Sequence, residues 1–173
     1  MPNDSCFLKD EYFQLFAYGS CMNHESLSKT LLTDAKAYFI GPALLAHHRL
    51  IFNYSSLNEP VCCANIRPDY GHRVEGALYR LPTRFLDIID AREGVPLGRY
   101  KRQRVGVTTL TEGQDTTAFT YFGLVTLNDE AAPSIRYRDL LLQGLYDARV
   151  SSRYKLSLRQ HLDSLPERLM NIP

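Results

Sequence analysis

The sequence has little excess charge of either sign: 20 Lys and Arg stand against 19 Asp and Glu, a formal net charge of +1. Such a balance gives no general attraction to nucleic acid or to a membrane surface. The local basic cluster Arg99-Tyr100-Lys101-Arg102-Gln103-Arg104 reads as the solvated face of a strand. Cysteine is also sparse. Cys6, Cys21, Cys62 and Cys63 show no Cys-x-x-Cys spacing and no companion run of histidines, so no metal site is expected. The thiols are expected to be free in a reducing cytoplasm. A long apolar stretch is missing, and Met1-Pro2-Asn3-Asp4-Ser5-Cys6 has no basic segment leading into one. Neither a secretory signal nor a transmembrane helix is therefore expected. Internal repeats, low-complexity tracts and an interdomain linker are lacking too. What is there, 45% hydrophobic and 23% charged residues, is the composition of an ordinary folded domain. A chain of this length can bury roughly 70% of its unfolded surface in one core. One domain over 1–173 is expected, with its core at about 12–165.

The apolar pattern is mostly of strand type. YFQLFAY over 12–18 is rich in aromatics and ends at Gly19-Ser20, a strand feeding a tight loop. Asn23-His24-Glu25-Ser26-Leu27 then resembles a helix start in which Asn caps free amides. Short aromatic or β-branched segments at 35–40, 43–54 and 61–66 predict strands separated by Gly41-Pro42 and by 55–60. Another strand is predicted over 74–81, ended by Pro82, with Gly76 marking a close backbone approach. A short helix over 82–90 places Phe85, Leu86, Ile88 and Ile89 on one broad face and leaves Glu93 just beyond its end. Gly94, Pro96 and Gly98 make a loop, and 100–110 with 116–124 forms a hairpin. From Pro133 the period becomes helical, with Ser134 as a cap, and a second helix follows over about 151–165. The outline is α+β, a mainly antiparallel sheet closed by helices.

Three separated segments together resemble one family. Tyr18-Gly19-Ser20-Cys21-Met22 follows the first strand, Asp90-Ala91-Arg92-Glu93-Gly94-Val95 comes with Gly98 and Tyr100, and Pro133-Ser134-Ile135-Arg136-Tyr137 opens a late helix. In gamma-glutamylcyclotransferases the first strand ends in Tyr-Gly-Ser-Asn. An Asp-x-x-Glu-Gly segment with a nearby Tyr follows, and Pro-Ser-x-x-Tyr opens a late helix. Each motif alone is common; their ordered occurrence is specific and spans nearly the whole chain. The resemblance implies a small mixed β-barrel with packed helices. It also implies cofactor-independent cleavage of a gamma-glutamyl amide into 5-oxoproline and a free amine or amino acid.

That chemistry accounts for the residue types. The substrate's own α-amine is the nucleophile, and five-membered closure makes the attack intramolecular. The enzyme has to fold the substrate, take a proton from the ammonium and return one to the leaving nitrogen. By the family pattern the proton-carrying carboxylate is Glu93. Tyr18, Gly19, Ser20, Cys21 and Met22 are the implied substrate-binding segment, with Tyr18 packing below the loop and main-chain amides cradling the substrate carboxylate. Tyr100 and Tyr137 match family tyrosines whose hydroxyls line the site. Cys21 departs from the family, standing where Asn is usual. Ser134 is read as a helix cap. His47 and His48, like Cys62 and Cys63, are adjacent on strands and face opposite ways.

Two other readings stand beside this one. Cys21 could be a nucleophile activated at a helix N-terminus by a histidine, giving a cysteine amidase. Alternatively the fold could bind a small metabolite without chemistry. The leaving group is expected to be chosen by the loops at 53–60 and 95–99. Neither its identity nor the oligomeric state is legible in the sequence.

Overall fold

The structure is a computed structural model describing residues 11–56 and 59–168. Cys6, the start of the chain and part of the 53–60 loop lie outside the described residues. Five strands, β1 (Tyr12–Ala17), β2 (Phe39–Ser55), β3 (Cys62–Pro82), β4 (Tyr100–Thr109) and β5 (Asp115–Gly123), close into a barrel in the order β1-β3-β2-β4-β5. Every pairing is antiparallel except the closing one, β1 with β5, which is parallel and registers Leu15 opposite Phe119. Four helices pack around it: α1 (His24–Leu31), α2 (Leu86–Glu93), α3 (Ile135–Asp147) and α4 (Ser152–Ser164). The small mixed barrel with packed helices is thus the observed architecture.

Several local expectations need correction. Residues 35–38 form a short 3-10 helix, not a strand, because the Asp34 side chain accepts from the Lys36 amide at 3.0 Å and caps it. Gly41-Pro42 does not separate two strands: β2 runs through it, absorbing the irregularity as a register shift between Phe39 and Gly41. The strands expected at 61–66 and 74–81 are one element, the 21-residue β3. Its exposed middle stretch, 67–73, pairs with β2 across a second shift, where His47 takes a left-handed conformation (φ 56). The bulge at His47 also breaks the simple alternation expected of His47 and His48. Over 82–90 the apolar face is narrower than expected, since Phe85, in a 3-10 turn just before α2, and Ile89 are buried while Ile88 is 41% exposed. Glu93 is the last residue of that helix rather than a loop residue.

The expected caps are present. Asn23 accepts from the Ser26 amide at 2.8 Å and Ser134 from the Tyr137 amide at 3.2 Å, fixing the starts of α1 and α3. Gly94 ends α2 in a left-handed conformation (φ 70), which a side chain would strain. The close approach read at Gly76 is severe: a Cβ there would lie 2.2 Å from the carbonyl oxygen of Ala17, the last residue of β1.

Candidate active site

The turn that leaves β1 begins with a hydrogen bond from the Met22 amide to the Gly19 carbonyl at 3.0 Å. In such a 3-10 turn, Ser20–Met22, the amides of Ser20 and Cys21 have no partner within the turn itself. From below, the Tyr79 hydroxyl donates to the carbonyls of Cys21 (3.0 Å) and Met22 (3.3 Å) and fixes the path of the turn. From the side, Gly144 of α3 comes so close that a Cβ would sit 3.0 Å from Met22 Cβ and the Asn23 amide nitrogen. Met22 is consequently fully buried against α3. Met22 does not line the cavity, alone among the members of the expected binding segment.

Where β1 leaves the barrel a recess, partly open to solvent, is lined by Tyr18, Gly19, Ser20 and Cys21 on one side. Glu93, Ala64, Tyr100, Thr120, Tyr121 and Tyr137 line the rest, above a floor of Leu15, Phe16 and Ala17. This brings Glu93, the Gly19–Cys21 backbone and both expected tyrosines into one cavity from four parts of the chain. Tyr18 forms a wall, and its hydroxyl is committed to the Tyr121 carbonyl at 2.6 Å.

Glu93 is held from one side. Cys21 Sγ donates to its Oε1 at 3.3 Å, and Arg92 Nε lies 3.8 Å from the same oxygen. Burial raises the Glu93 pKa, against the opposing pull of the Arg92 charge and the Cys21 hydrogen bond. Arg92 organises the neighbourhood. Its guanidinium donates to Ser20 Oγ (3.1 Å), to Ser26 Oγ (2.9 Å), to the Ser26 carbonyl and to Thr30 Oγ1, tying α2 to α1 and to the turn. Ser20 is therefore an acceptor for Arg92; the cap of α1 is Asn23. One helical turn before Glu93, Asp90 accepts from the Tyr121 hydroxyl at 2.7 Å and pairs with Arg102. That anchors α2 against β4 and β5.

Ala64 organises the opposite wall. Pairing of β3 with β2 skips from Asn65 opposite Ile51 to Cys63 opposite Tyr54, so Ala64 has no ladder partner. Its carbonyl instead accepts from the Tyr100 hydroxyl at 2.9 Å, and its amide donates to the Tyr137 hydroxyl at 3.3 Å. The two tyrosines are thereby in different states. Tyr100 has spent its proton on Ala64, whereas Tyr137 accepts from Ala64 and keeps its own proton to give. Burial raises both phenol pKa values, so both are protonated at neutral pH.

The geometry weighs against Cys21 as a nucleophile. Burial pushes its thiol up to about 12, Arg92 pulls the other way, and the Glu93 charge beside it raises it further. Among the described residues no histidine lines the cavity. Among the described residues no group of three or more His, Cys, Asp and Glu is placed to hold a metal ion, and no helix is long and apolar enough to cross a membrane.

Sequence reasoning missed Tyr79, Asp90, Arg92, Tyr121 and Ala64 as parts of the site. Asp90 and Arg92 sat within the quoted motif and could have been found as charged neighbours of Glu93. Tyr79 and Tyr121 were indistinguishable from core aromatics, and Ala64 acts through its main chain, which no residue type announces.

Known proteins share this fold. Residues 73–158 match the AIG2-like family. YkqA of Bacillus subtilis (strain 168), a provisionally named gamma-glutamylcyclotransferase, is 28% identical over 152 residues. That alignment takes in 88% of this chain and 53% of YkqA, so the chain spans about half the length of this curated relative. The crystal structure of YkqA superimposes with a TM-score of 0.82 at 27% identity, covering 91% of this chain and 56% of that one. A structure titled gamma-glutamyl cyclotransferase has a TM-score of 0.76 at 24% identity, with 94% of this chain and 93% of that one covered. An uncharacterised human protein gives 0.76 at 25% identity, covering 93% and 92%. In sequence and in the course of its barrel alike, the chain is similar to the gamma-glutamylcyclotransferase-like family.

Proposed function

We propose that the chain is a gamma-glutamyl cyclotransferase acting on a small gamma-glutamyl amide, and that Glu93 carries the proton. The observation that carries this reading is the placement of a largely buried carboxylate in the same cavity as the Gly19–Cys21 turn.

The cycle closes on these residues. The free amides of the turn hold the substrate α-carboxylate. Ionised Glu93 takes a proton from the α-ammonium; the freed amine attacks the γ-carbonyl carbon, and the C–N bond of the lactam forms. The Tyr137 proton is available to the carbonyl oxygen as negative charge develops there. The tetrahedral adduct collapses and the bond to the leaving nitrogen breaks as Glu93 returns its proton to that nitrogen, and the ring nitrogen gives up its second proton to the released amine. 5-Oxoproline and a free amine or amino acid depart, and Glu93 is again ionised. A raised pKa suits both halves: the carboxylate is a stronger base toward the ammonium and still able to give the proton back.

Incubation with a panel of gamma-glutamyl dipeptides and gamma-glutamyl amines, with 5-oxoproline as the readout, tests the reading. Product is expected from at least one member. Absence of product across the panel would leave the fold as a metabolite-binding scaffold. Tyr137→Phe removes the free phenolic proton and is expected to lower kcat about 10²-fold, the usual effect of losing one such donor. Tyr100→Phe, whose proton is already spent on Ala64, is expected to cost less. Equal losses in the two variants would contradict the assignment.

A further inference from the structure

Both contacts that hold the Glu93 carboxylate fall on Oε1: the Cys21 thiol at 3.3 Å and Arg92 Nε at 3.8 Å. Among the described residues no hydrogen bond reaches Oε2, and Glu93 lines the cavity. We propose that Cys21 is a positioning residue of this site, its neutral thiol pinning Oε1 of Glu93 so that Oε2 is the oxygen that exchanges the proton. The inference rests on the cyclotransferase reading for its kinetic consequence, but the contact itself is independent of it.

The backbone fixes the donor. Cys21 is buried and its carbonyl accepts from the Tyr79 hydroxyl, which holds the backbone that carries Sγ. A thiol is a weak donor. It can orient a carboxylate while removing little of its basicity, and a stronger donor at the same place would remove more. Cys21 stays protonated over the working range, because burial has pushed its thiol up to about 12. The site thus has a donor that does not switch off as pH rises.

The groups facing Glu93 can be sorted by whether they change charge near neutrality. On its own helix stand Arg92 and Asp90, the latter paired with Arg102. From the turn comes Cys21, from β3 Cys63, whose thiol burial pushes up to about 11. The remaining neighbours are phenols, Tyr18 of the β1 exit, Tyr54 of β2, Tyr100, Tyr121 and Tyr137, all raised chiefly by burial. None of these thiols or phenols ionises between pH 5 and about pH 9. A pH dependence that follows the Cys21 contact therefore reports on Glu93.

Two measurements test the proposal. In the first, kcat against pH is compared for the wild type, Cys21→Ala and Cys21→Asn. The thiol bond favours ionised Glu93, so its loss in Cys21→Ala moves the acidic limb to higher pH. The ratio of kcat at pH 6 to kcat at pH 8 is expected to fall about twofold, less than a hydrogen bond of ordinary strength would give, because a thiol is a weak donor. Cys21→Asn, which restores a donor, is expected to bring the limb back. A limb unmoved in Cys21→Ala overturns the proposal, whatever happens to kcat or to stability. In the second, the S–H stretching band of Cys21 is isolated as the infrared difference between wild type and Cys21→Asn. The band is expected to shift as Glu93 titrates and to lose that shift in Glu93→Gln; a band indifferent to both overturns the proposal. The infrared result stands even if no panel member is turned over, an outcome that would count against the cyclotransferase reading alone.

Discussion

Glu93→Gln is expected to lower kcat by about 10²–10⁴-fold, the range for loss of a positioned general acid–base group, with KM little changed. The amide keeps the shape and can still accept from Cys21, so the loss isolates proton transfer from packing. The same substitution is expected to stabilise the fold at neutral pH. Burial raises the Glu93 pKa above its value in the unfolded chain, so the folded state binds that proton more tightly than the unfolded state does. Stability then falls as pH rises from the unfolded carboxylate value, about 4.3, through the folded one, and stays lower above it. Glutamine escapes that loss. Thermal melts should show Glu93→Gln above the wild type at pH 8, by about 2–4 °C for each kcal/mol recovered, and level with it below pH 4. Product formation undiminished in Glu93→Gln would sink the mechanism; a variant less stable than wild type at pH 8 would contradict the account of its burial.

The largest effect on stability is expected at Gly76. An added Cβ would stand 2.2 Å from the Ala17 carbonyl oxygen and 3.1 Å from a ring carbon of Phe16. The obstruction is backbone, in a register where Ala17 pairs directly with Ala77, so no side-chain rotation relieves it. Gly76→Ala is expected to cost about 3 kcal/mol or more, at the upper end for overpacking a core. Denaturant titration measures the midpoint and its slope together. Ala17 is also the residue before Tyr18, so whatever folded protein remains should lose activity with the displaced turn. A Gly76→Ala protein as stable as wild type would mean that β1 and β3 can separate here freely.

How much of this was legible in the sequence depended on what kind of signal carried it. The first and last strands, the caps at Asn23 and Ser134, and the close approach at Gly76 were readable, because each rests on a residue type with one local physical meaning. The 3-10 helix at Ala35–Tyr38 was not, because its apolar content imitates a strand and the deciding contacts are side-chain caps, from Asp34 and from Ser28 of α1. The continuity of β3 was hidden by Pro68 and Gly71, which normally punctuate, yet here occupy an exposed, bulged stretch where a missing donor costs little. Within the site, Glu93, the turn and the two tyrosines came from an ordered set of motifs. The grip of Cys21 and Arg92 on a single carboxylate oxygen could not have come from spacing, since it depends on two elements meeting across 72 residues.

Glu93 closes α2, and this makes the site sensitive to phase rather than to composition. A helix advances about 100° per residue, so one residue gained or lost between Leu86 and Glu93 would swing the carboxylate around the axis and away from Cys21. The anchors of α2, Asp90 against Tyr121 and Arg92 against Ser20 and Ser26, would be thrown out of step together. Exposed positions such as Asp87 and Ile88 can therefore change identity with little consequence for the carboxylate, while the length of this segment can change hardly at all.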